Sequence, residues 1–199
     1  MANVELTMAN FEKRGFRVSR FPDREAAAQY LLGEIGDQPV GIGGSVTIQE
    51  LDIYDRLAAR GEVFWHGKVP GQETMVKANA APIYLMSANG VSETGMLLNI
   101  DGRGNRVANM CFGHERVYII IGINKIAPDD NMALWRARNI AAPKNARRLN
   151  YDYLPCFSTD KCHDCDNPRR FCCSFVTLER RPFGIEHFEI VIVDEALGY

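Results

Sequence analysis

The sequence lacks the features of a membrane protein, a secreted protein or a nucleic-acid-binding protein. Its longest strongly apolar run, Val117 to Ile123, is far too short to span a bilayer. Long basic runs are missing and the formal net charge is -2, which argues against binding to nucleic acid or an anionic membrane surface. The first residues do not pair a basic segment with an apolar one, as a secretory signal would. We therefore expect a cytoplasmic protein with no membrane span and no nucleic-acid partner.

Internal repeats, low-complexity tracts and linkers are also missing. Hydrophobic residues make up 46% of the sequence and charged residues 24%, as in ordinary globular proteins. A chain of 199 residues can bury one sizeable core, so we expect a single domain over residues 1–199.

Strand and helix patterns alternate through the first half of the chain. Predicted strands at 16–21, 39–43, 62–65 and 82–87 are separated by predicted helices at 23–35, about 47–60 and 72–80. This order predicts an α/β fold with a mostly parallel, twisted sheet and helices on both faces. Ligands of such sheets bind at the carboxyl ends of the strands.

The second half of the chain departs from this alternation. Residues 96–101 and 106–110 are predicted to form an antiparallel hairpin around an Asp-Gly turn. Residues 117–123 are typical of a strand buried on both faces, and a helix from Asp129 is predicted to be interrupted at Pro143. Residues 186–193 are predicted to form the last strand.

Residues 39–50, with the sequence PVGIGGSVTIQE, predict a strand, a tight glycine turn and a helix start. Thr47 and Glu50 fit the capping-box pattern at that start. Glycines let backbone approach a ligand closely, and free N–H groups at a helix start favour an anion. We predict a phosphate or carboxylate site at Gly43, Gly44, Ser45, Val46 and Thr47. The alternative is an ordinary turn, and the pattern is neither a dinucleotide fingerprint nor a Walker A loop.

Small and polar residues follow the strand predicted at 82–87, in the stretch from Ser87 to Gly95. Glu93 is the candidate general base or nucleophile there, and Asn89, Ser92 and Thr94 are candidate ligand-binding residues. The alternative is a polar turn whose hydroxyl groups bond to local backbone.

Three further polar residues could serve the same cleft. Lys125 ends the buried strand and could reach a ligand, although most lysines are simply exposed. Asp101 could be a second catalytic carboxylate or only the first residue of its turn. His114 could titrate near neutral pH, but a lone loop histidine is more often incidental.

Cysteines are concentrated in residues 151–175. The spacing Cys156-x5-Cys162-x2-Cys165-x6-Cys172 offers four soft ligands for zinc or an iron–sulfur cluster, and His163 or Cys173 could substitute. The spacing matches neither a zinc ribbon nor a ferredoxin. The alternatives are reduced thiols in a packed loop and a redox-active thiol pair.

The stretches GIGGSVT, SANGVSETGMLLNIDGRGNRVA and CHDCDNPRRFCC, in this order, resemble the lactate-utilisation (LUD) domain family. The resemblance covers the chain from about Pro22 to its last residues. It implies a fold like that of glucosamine-6-phosphate deaminase, ribose-5-phosphate isomerase and CoA-transferases, with a glycine-rich turn for phosphate or acyl-carrying ligands. It also implies partners, since some relatives act beside iron–sulfur or oxidoreductase subunits in lactate oxidation.

Three functions are compatible with these features, and the sequence leaves open whether the chain is an enzyme. The first is binding of an anionic metabolite, sugar phosphate or acyl carrier in lactate or related hydroxy-acid utilisation, with residues 92–94 facing the glycine turn. The second is a metal- or iron–sulfur-bearing accessory subunit without its own turnover. The third is a non-catalytic metabolite sensor.

Overall fold

The most apolar segments of the chain form the middle of a six-stranded parallel sheet in the computed structural model, which describes residues 2–199. The strands of the chain are β1 (Arg17–Phe21), β2 (Val40–Ile42), β3 (Val63–Trp65), β4 (Ile83–Met86), β5 (Gly90–Ser92), β6 (Leu97–Asp101), β7 (Arg116–Gly122), β8 (Ile126–Ala127), β9 (Ser174–Leu178) and β10 (His187–Val193). The six-stranded sheet has the order β1-β10-β7-β4-β2-β3, and each neighbouring pair is parallel. The predicted parallel sheet is confirmed.

Helices cover both faces of this sheet, as predicted. They are α1 (Val4–Lys13), α2 (Arg24–Ile35), α3 (Val46–Glu50), α4 (Tyr54–Ala58), α5 (Gln72–Ala80), α6 (Asn105–Asn109), α7 (Asp130–Arg136), α8 (Ala142–Arg148) and α9 (Pro155–Thr159). Alternate residues of β7 point to opposite faces, so Ile120 packs with Leu31 of α2 while Ile119 packs with Phe11 of α1. The strand is therefore apolar from Val117 to Ile121 because both of its faces are core there.

A second, four-stranded sheet has the order β8-β5-β6-β9. The strand predicted at residues 96–101 is confirmed as β6, and it pairs antiparallel with β5 and β9, so the predicted pairing with residues 106–110 was wrong. Residues 106–110, predicted as the returning strand, lie largely in α6. The reason is that the Asp101 carboxylate accepts hydrogen bonds from the backbone N–H groups of Arg106 and Val107, which stabilises a helix start.

The glycine turn after β2 leads into two short helices where one was predicted. Asp52 has a φ of 52° and separates α3 from α4. The capping prediction was also wrong, because the Ser45 side chain accepts from the N–H of Ile48. Glu50 instead accepts from the N–H of Gly198, a contact between distant parts of the chain that a local pattern cannot show.

Pro143 was predicted to interrupt the helix that starts after Asp129, but helical structure continues from α7 to α8. Residues Ala137–Ala141 form a π-helical segment between the two helices. Proline has no N–H to donate, so the hydrogen-bond ladder must change before it, and the π-helical segment is where it changes. Within residues 2–199, none of the helices has the length and apolar character needed to cross a membrane.

Candidate ligand pocket

A cavity of about 180 Å³ opens at the carboxyl ends of β2, β4 and β7, and we refer to it as the ligand pocket. The segments that follow these strands supply its floor, through Gly44 to Thr47, Ser87 to Asn89, and Lys125. The loop before α6, the π-helical segment and α8 form its walls, together with Tyr151, Phe171 and Tyr199. The position agrees with the general rule for ligands of open parallel sheets.

The glycines of the turn bring other side chains close to the pocket. A Cβ atom on Gly43 would lie 3.0 Å from Cγ of Arg106, and one on Gly44 would lie 3.3 Å from Nε2 of His66. Both glycines therefore permit a tight packing of charged or polar side chains against the turn. Helix α3 is only five residues long, so its dipole is a weak basis for anion binding.

Lys125 is the most unusual residue of the pocket. Its side chain is buried, with 3% of the residue exposed. The amine donates to the Thr47 hydroxyl at 2.7 Å, the Ser87 hydroxyl at 2.9 Å and the Ala88 carbonyl at 3.1 Å. Across residues 2–199 no carboxylate forms a salt bridge with it, so its charge has only neutral partners.

The surroundings of Lys125 disfavour its charge. Burial, followed by the nearby cations Arg136 and Arg106, lowers the pKa of the Lys125 amine to about 7, whereas Glu50 opposes the shift. The two hydroxyl partners can donate as well as accept, so they satisfy both the charged and the neutral amine. Lys125 can therefore hold or release a proton near neutral pH.

Positive charge predominates around the pocket. Arg103, Arg106 and Arg148 line it. Among the described residues 2–199, Asp101 is the one acidic residue in its lining. Arg106 donates to the Asn99 side chain at 3.3 Å and also to the Ile100 carbonyl. Burial lowers the pKa of His66, and Arg103 adds to this shift, so His66 contributes a neutral ring at neutral pH.

Asp101, a predicted catalytic residue, lines the pocket, but both of its carboxylate oxygens accept hydrogen bonds from the backbone. One of its oxygens accepts from the N–H of Gly102 at 2.8 Å, and the other accepts from the N–H of Arg106 at 2.8 Å. The same oxygen lies 3.7 Å from Nε of Arg106. The carboxylate thus fixes the loop and holds Arg106 over the pocket.

Asn89 lines the pocket and also joins the two sheets. Its side-chain oxygen accepts from the N–H of Ile100 at 2.8 Å, and its carbonyl accepts from Arg136 at 2.6 Å. Its own N–H donates to the Asn99 side chain at 3.1 Å. Asn89 therefore fixes the floor of the pocket against β6.

The other predicted residues of this stretch lie elsewhere. Glu93 accepts from the backbone N–H of Asn3 at 2.7 Å, next to the start of α1. The hydroxyl of Ser92 donates to the Asp130 carboxylate at 2.6 Å, and Thr94 bonds to the same carboxylate. These residues do not line the ligand pocket, so the structure does not bring them together with the glycine turn.

His114 is buried and does not line the ligand pocket. Its Nδ1 atom is 2.7 Å from the Ala81 carbonyl, and its ring stacks on Tyr84 with the centroids 4.8 Å apart. Burial lowers the pKa of His114, which favours the neutral ring. It does not share a cleft with Glu93 or Asp101.

A second cavity, of about 30 Å³, is lined by the four predicted metal ligands Cys156, Cys162, Cys165 and Cys172, and we call it the cysteine cavity. Ile100, Ala142 and Phe171 line both cavities, so the two adjoin. Burial, followed by the neighbouring thiols, raises the pKa of Cys172 to about 12. Over residues 2–199 no three Cys, His, Asp or Glu side chains are arranged to hold a single metal ion.

Sequence reasoning missed several pocket residues, above all Arg106, His66 and Arg148. Arg106 lay in a segment with a strand-like pattern. His66 follows a short strand, and its position at a strand end was the one available signal. Arg148 reaches the pocket only because α8 continues beyond Pro143.

Comparison with known proteins gives a consistent result. The family model of the LUD domain matches residues 4–193. Among solved structures, the fold is similar to that of a DUF162 family protein from Deinococcus radiodurans, with a TM-score of 0.55 and 8% sequence identity over 96% of this chain and 95% of that chain. At this identity the likeness shows the fold alone. A search of curated protein sequences finds no match.

Proposed function

The chain belongs to the LUD domain family, a family involved in lactate utilisation, and on that premise we propose that its ligand pocket binds a small anionic metabolite. The ligand is a carboxylic acid of lactate or related hydroxy-acid metabolism, or a phosphate ester of similar size. Lys125 is the residue that recognises its charge. The glycine turn and Asn89 shape the floor on which it rests.

The observation that carries this proposal is the buried lysine without a carboxylate partner. Burying a charge is costly unless an opposite charge compensates it. Lys125 has three neutral oxygen partners, and the arginines that line the pocket add further positive charge. An anion in the pocket would supply the missing compensation, which favours binding of an acid over binding of a neutral or cationic molecule.

The size of the pocket restricts the ligand. Its volume of about 180 Å³ is smaller than the roughly 300–1,000 Å³ of sites that enclose drug-sized molecules. A hydroxy acid, a keto acid or a small phosphate ester fits such a space. A whole acyl carrier does not, so a carrier would place only its acyl end inside.

Binding can be measured by isothermal titration calorimetry with lactate, pyruvate and a panel of small sugar phosphates. We expect one of these acids to bind to the wild-type chain and Lys125→Met to lose at least about tenfold in affinity, because a hydrogen bond to a charged group is worth roughly 1.5–3 kcal/mol. Lys144→Met is the matched control, since Lys144 is exposed on the helix that forms the pocket wall. Glu93→Gln should bind like the wild type.

Two outcomes would overturn the proposal. Equal affinity of Lys125→Met and the wild type for every acid of the panel would remove Lys125 from recognition. Loss of binding in Glu93→Gln, with Lys125→Met unaffected, would move the ligand site to the turn at residues 92–94.

A further inference from the structure

The four cysteines of the cysteine cavity lie within residues 156–172 but on different local structures. Cys156 lies on α9, Cys162 and Cys165 lie on the loop that follows, and Cys172 lies just before β9. All six cysteines of the chain are free, so none of the four is used in a disulfide. The fold nevertheless places all four thiols on the wall of one small cavity.

Hydrogen bonding in the loop resembles the environment of thiolate ligands. The backbone N–H of Asp164 donates to Sγ of Cys162 at 3.4 Å. Asp164 has a φ of 44°, a left-handed conformation that turns the chain tightly between Cys162 and Cys165. An N–H group directed at sulfur stabilises a thiolate more than a neutral thiol, because its dipole favours negative charge.

Two arginines supply positive charge at the same cavity. Arg170 donates to the carbonyls of Cys165 at 2.7 Å and Cys172 at 3.1 Å, which ties the two sides of the cavity together. Arg138 also lines the cavity and lies over the ring of Phe175 at 4.5 Å. The Asp164 carboxylate pairs with both arginines, at 3.1 Å from Arg138 and 3.5 Å from Arg170, so the three side chains together leave one net positive charge. Four thiolates around a divalent metal carry a net negative charge, which this remaining positive charge would partly offset.

We propose that Cys156, Cys162, Cys165 and Cys172 ligate a soft-metal centre, and that this centre is an iron–sulfur cluster in preference to a single zinc ion. A zinc ion needs four sulfur atoms at about 2.3 Å from one point. The described residues 2–199 contain no such single-ion arrangement, whereas the thiols surround an open space. A cluster is larger than an ion and places its ligands further apart. This centre goes beyond the anion site, and its test does not depend on that site.

The test is the metal content of the full chain purified without oxygen. We expect stoichiometric iron with an equal amount of acid-labile sulfide, and a visible absorption band. The variants Cys162→Ser and Cys165→Ser should lose most of the iron and the band. Cys173→Ser is the matched control, because Cys173 is adjacent to Cys172 in sequence but does not line the cavity, and it should keep both.

Other outcomes contradict the proposal in defined ways. Stoichiometric zinc without sulfide, lost in Cys162→Ser but kept in Cys173→Ser, would overturn the cluster and retain the four-thiolate site. A wild-type chain that takes up neither metal, even after reconstitution with iron and sulfide or with zinc, would overturn the site altogether. The metal and sulfide content of the wild-type chain decides between these outcomes even if a serine variant fails to fold.

Discussion

At the scale of single residues, the buried amine of Lys125 should make the stability of the chain depend on pH, because burying its charge opposes folding. In an unfolded chain a lysine amine has a pKa near 10.4, whereas in the fold the pKa is about 7. Between these values the unfolded chain binds more protons, so the free energy of unfolding rises with pH over this range. The cost of the buried charge is therefore fully present below pH 7.

Replacing Lys125 with methionine removes this cost. We expect Lys125→Met to be more stable than the wild type at pH 7, by on the order of 1–3 kcal/mol once the lost bonds to Thr47 and Ser87 are counted. The difference should shrink towards pH 10. Urea unfolding at both pH values measures it, with Lys144→Met as the control. A variant less stable than the wild type at pH 7 would show that the amine stabilises the fold.

The same pKa predicts the pH dependence of ligand binding. An anion binds to the charged amine, and above pH 7 the charged fraction falls about tenfold for each pH unit. A carboxylic acid probe stays ionised from pH 6 to 9, so its affinity should be highest below pH 7 and decline above it. Calorimetry of one acid across this range tests the prediction. A flat profile would mean that the ligand does not depend on the charge of Lys125.

Residue roles were predictable only where the local position decides the role. The position of Lys125 at the ligand pocket was predictable because it follows a buried strand. Glu93 has the same kind of position, yet its carboxylate accepts from Asn3, a contact across 90 residues of sequence. Arg106 was missed for a similar reason. Its segment is helical because the Asp101 carboxylate caps it, and this contact forms only once the loop between them is folded.

At the scale of elements, the length of a strand decided whether it could be predicted from the sequence. The seven-residue strands β7 and β10 are long enough to show a pattern of their own, because they are apolar apart from Arg116 in β7 and His187 and Glu189 in β10. Strands β5 and β8 have three and two residues, too few for a periodicity. The site depends on both kinds, because the long strands place the pocket and β5 joins its floor to the second sheet.

Two glycines give a matched test of how the elements pack. Gly33 is exposed on α2, and of the described atoms outside its own helix backbone none lies within 4 Å of a Cβ built there. Gly33→Ala should stabilise the chain by about 0.5–1 kcal/mol, because alanine has the higher helix propensity and less freedom when unfolded. Its melting temperature should rise by about 2–4 °C per kcal/mol.

Gly41 should respond in the opposite direction. A Cβ on this β2 residue would lie 2.3 Å from the backbone oxygen of Ala78 on α5, so α5 would have to move. Gly41→Ala should destabilise the chain by about 1–3 kcal/mol, as overpacked core positions do. Thermal unfolding of both variants decides the matter, and a Gly41→Ala variant as stable as the wild type would mean that α5 is free to shift.

At the scale of the whole molecule, the ligand pocket and the cysteine cavity share a wall. Ile100, Ala142 and Phe171 line both, and Tyr151 of the cysteine-rich segment also lines the pocket. A metal centre that fixes this segment would therefore fix one side of the ligand pocket. We expect removal of the metal by a chelator, or Cys162→Ser, to weaken acid binding by at least about fivefold, the lower end of typical coupling between sites.

Linkage separates this coupling from simple damage to the fold. If the metal raises the affinity for the acid by some factor, the acid must raise the affinity for the metal by the same factor. A higher concentration of competing chelator should therefore be needed to remove the metal when the acid is present. Lys125→Met should still bind metal but should not show this effect. Cys173→Ser should behave like the wild type in both measurements. Weaker acid binding in Cys162→Ser without the reciprocal effect on metal release would mean that the substitution merely loosens residues 151–175, and that the two cavities act independently.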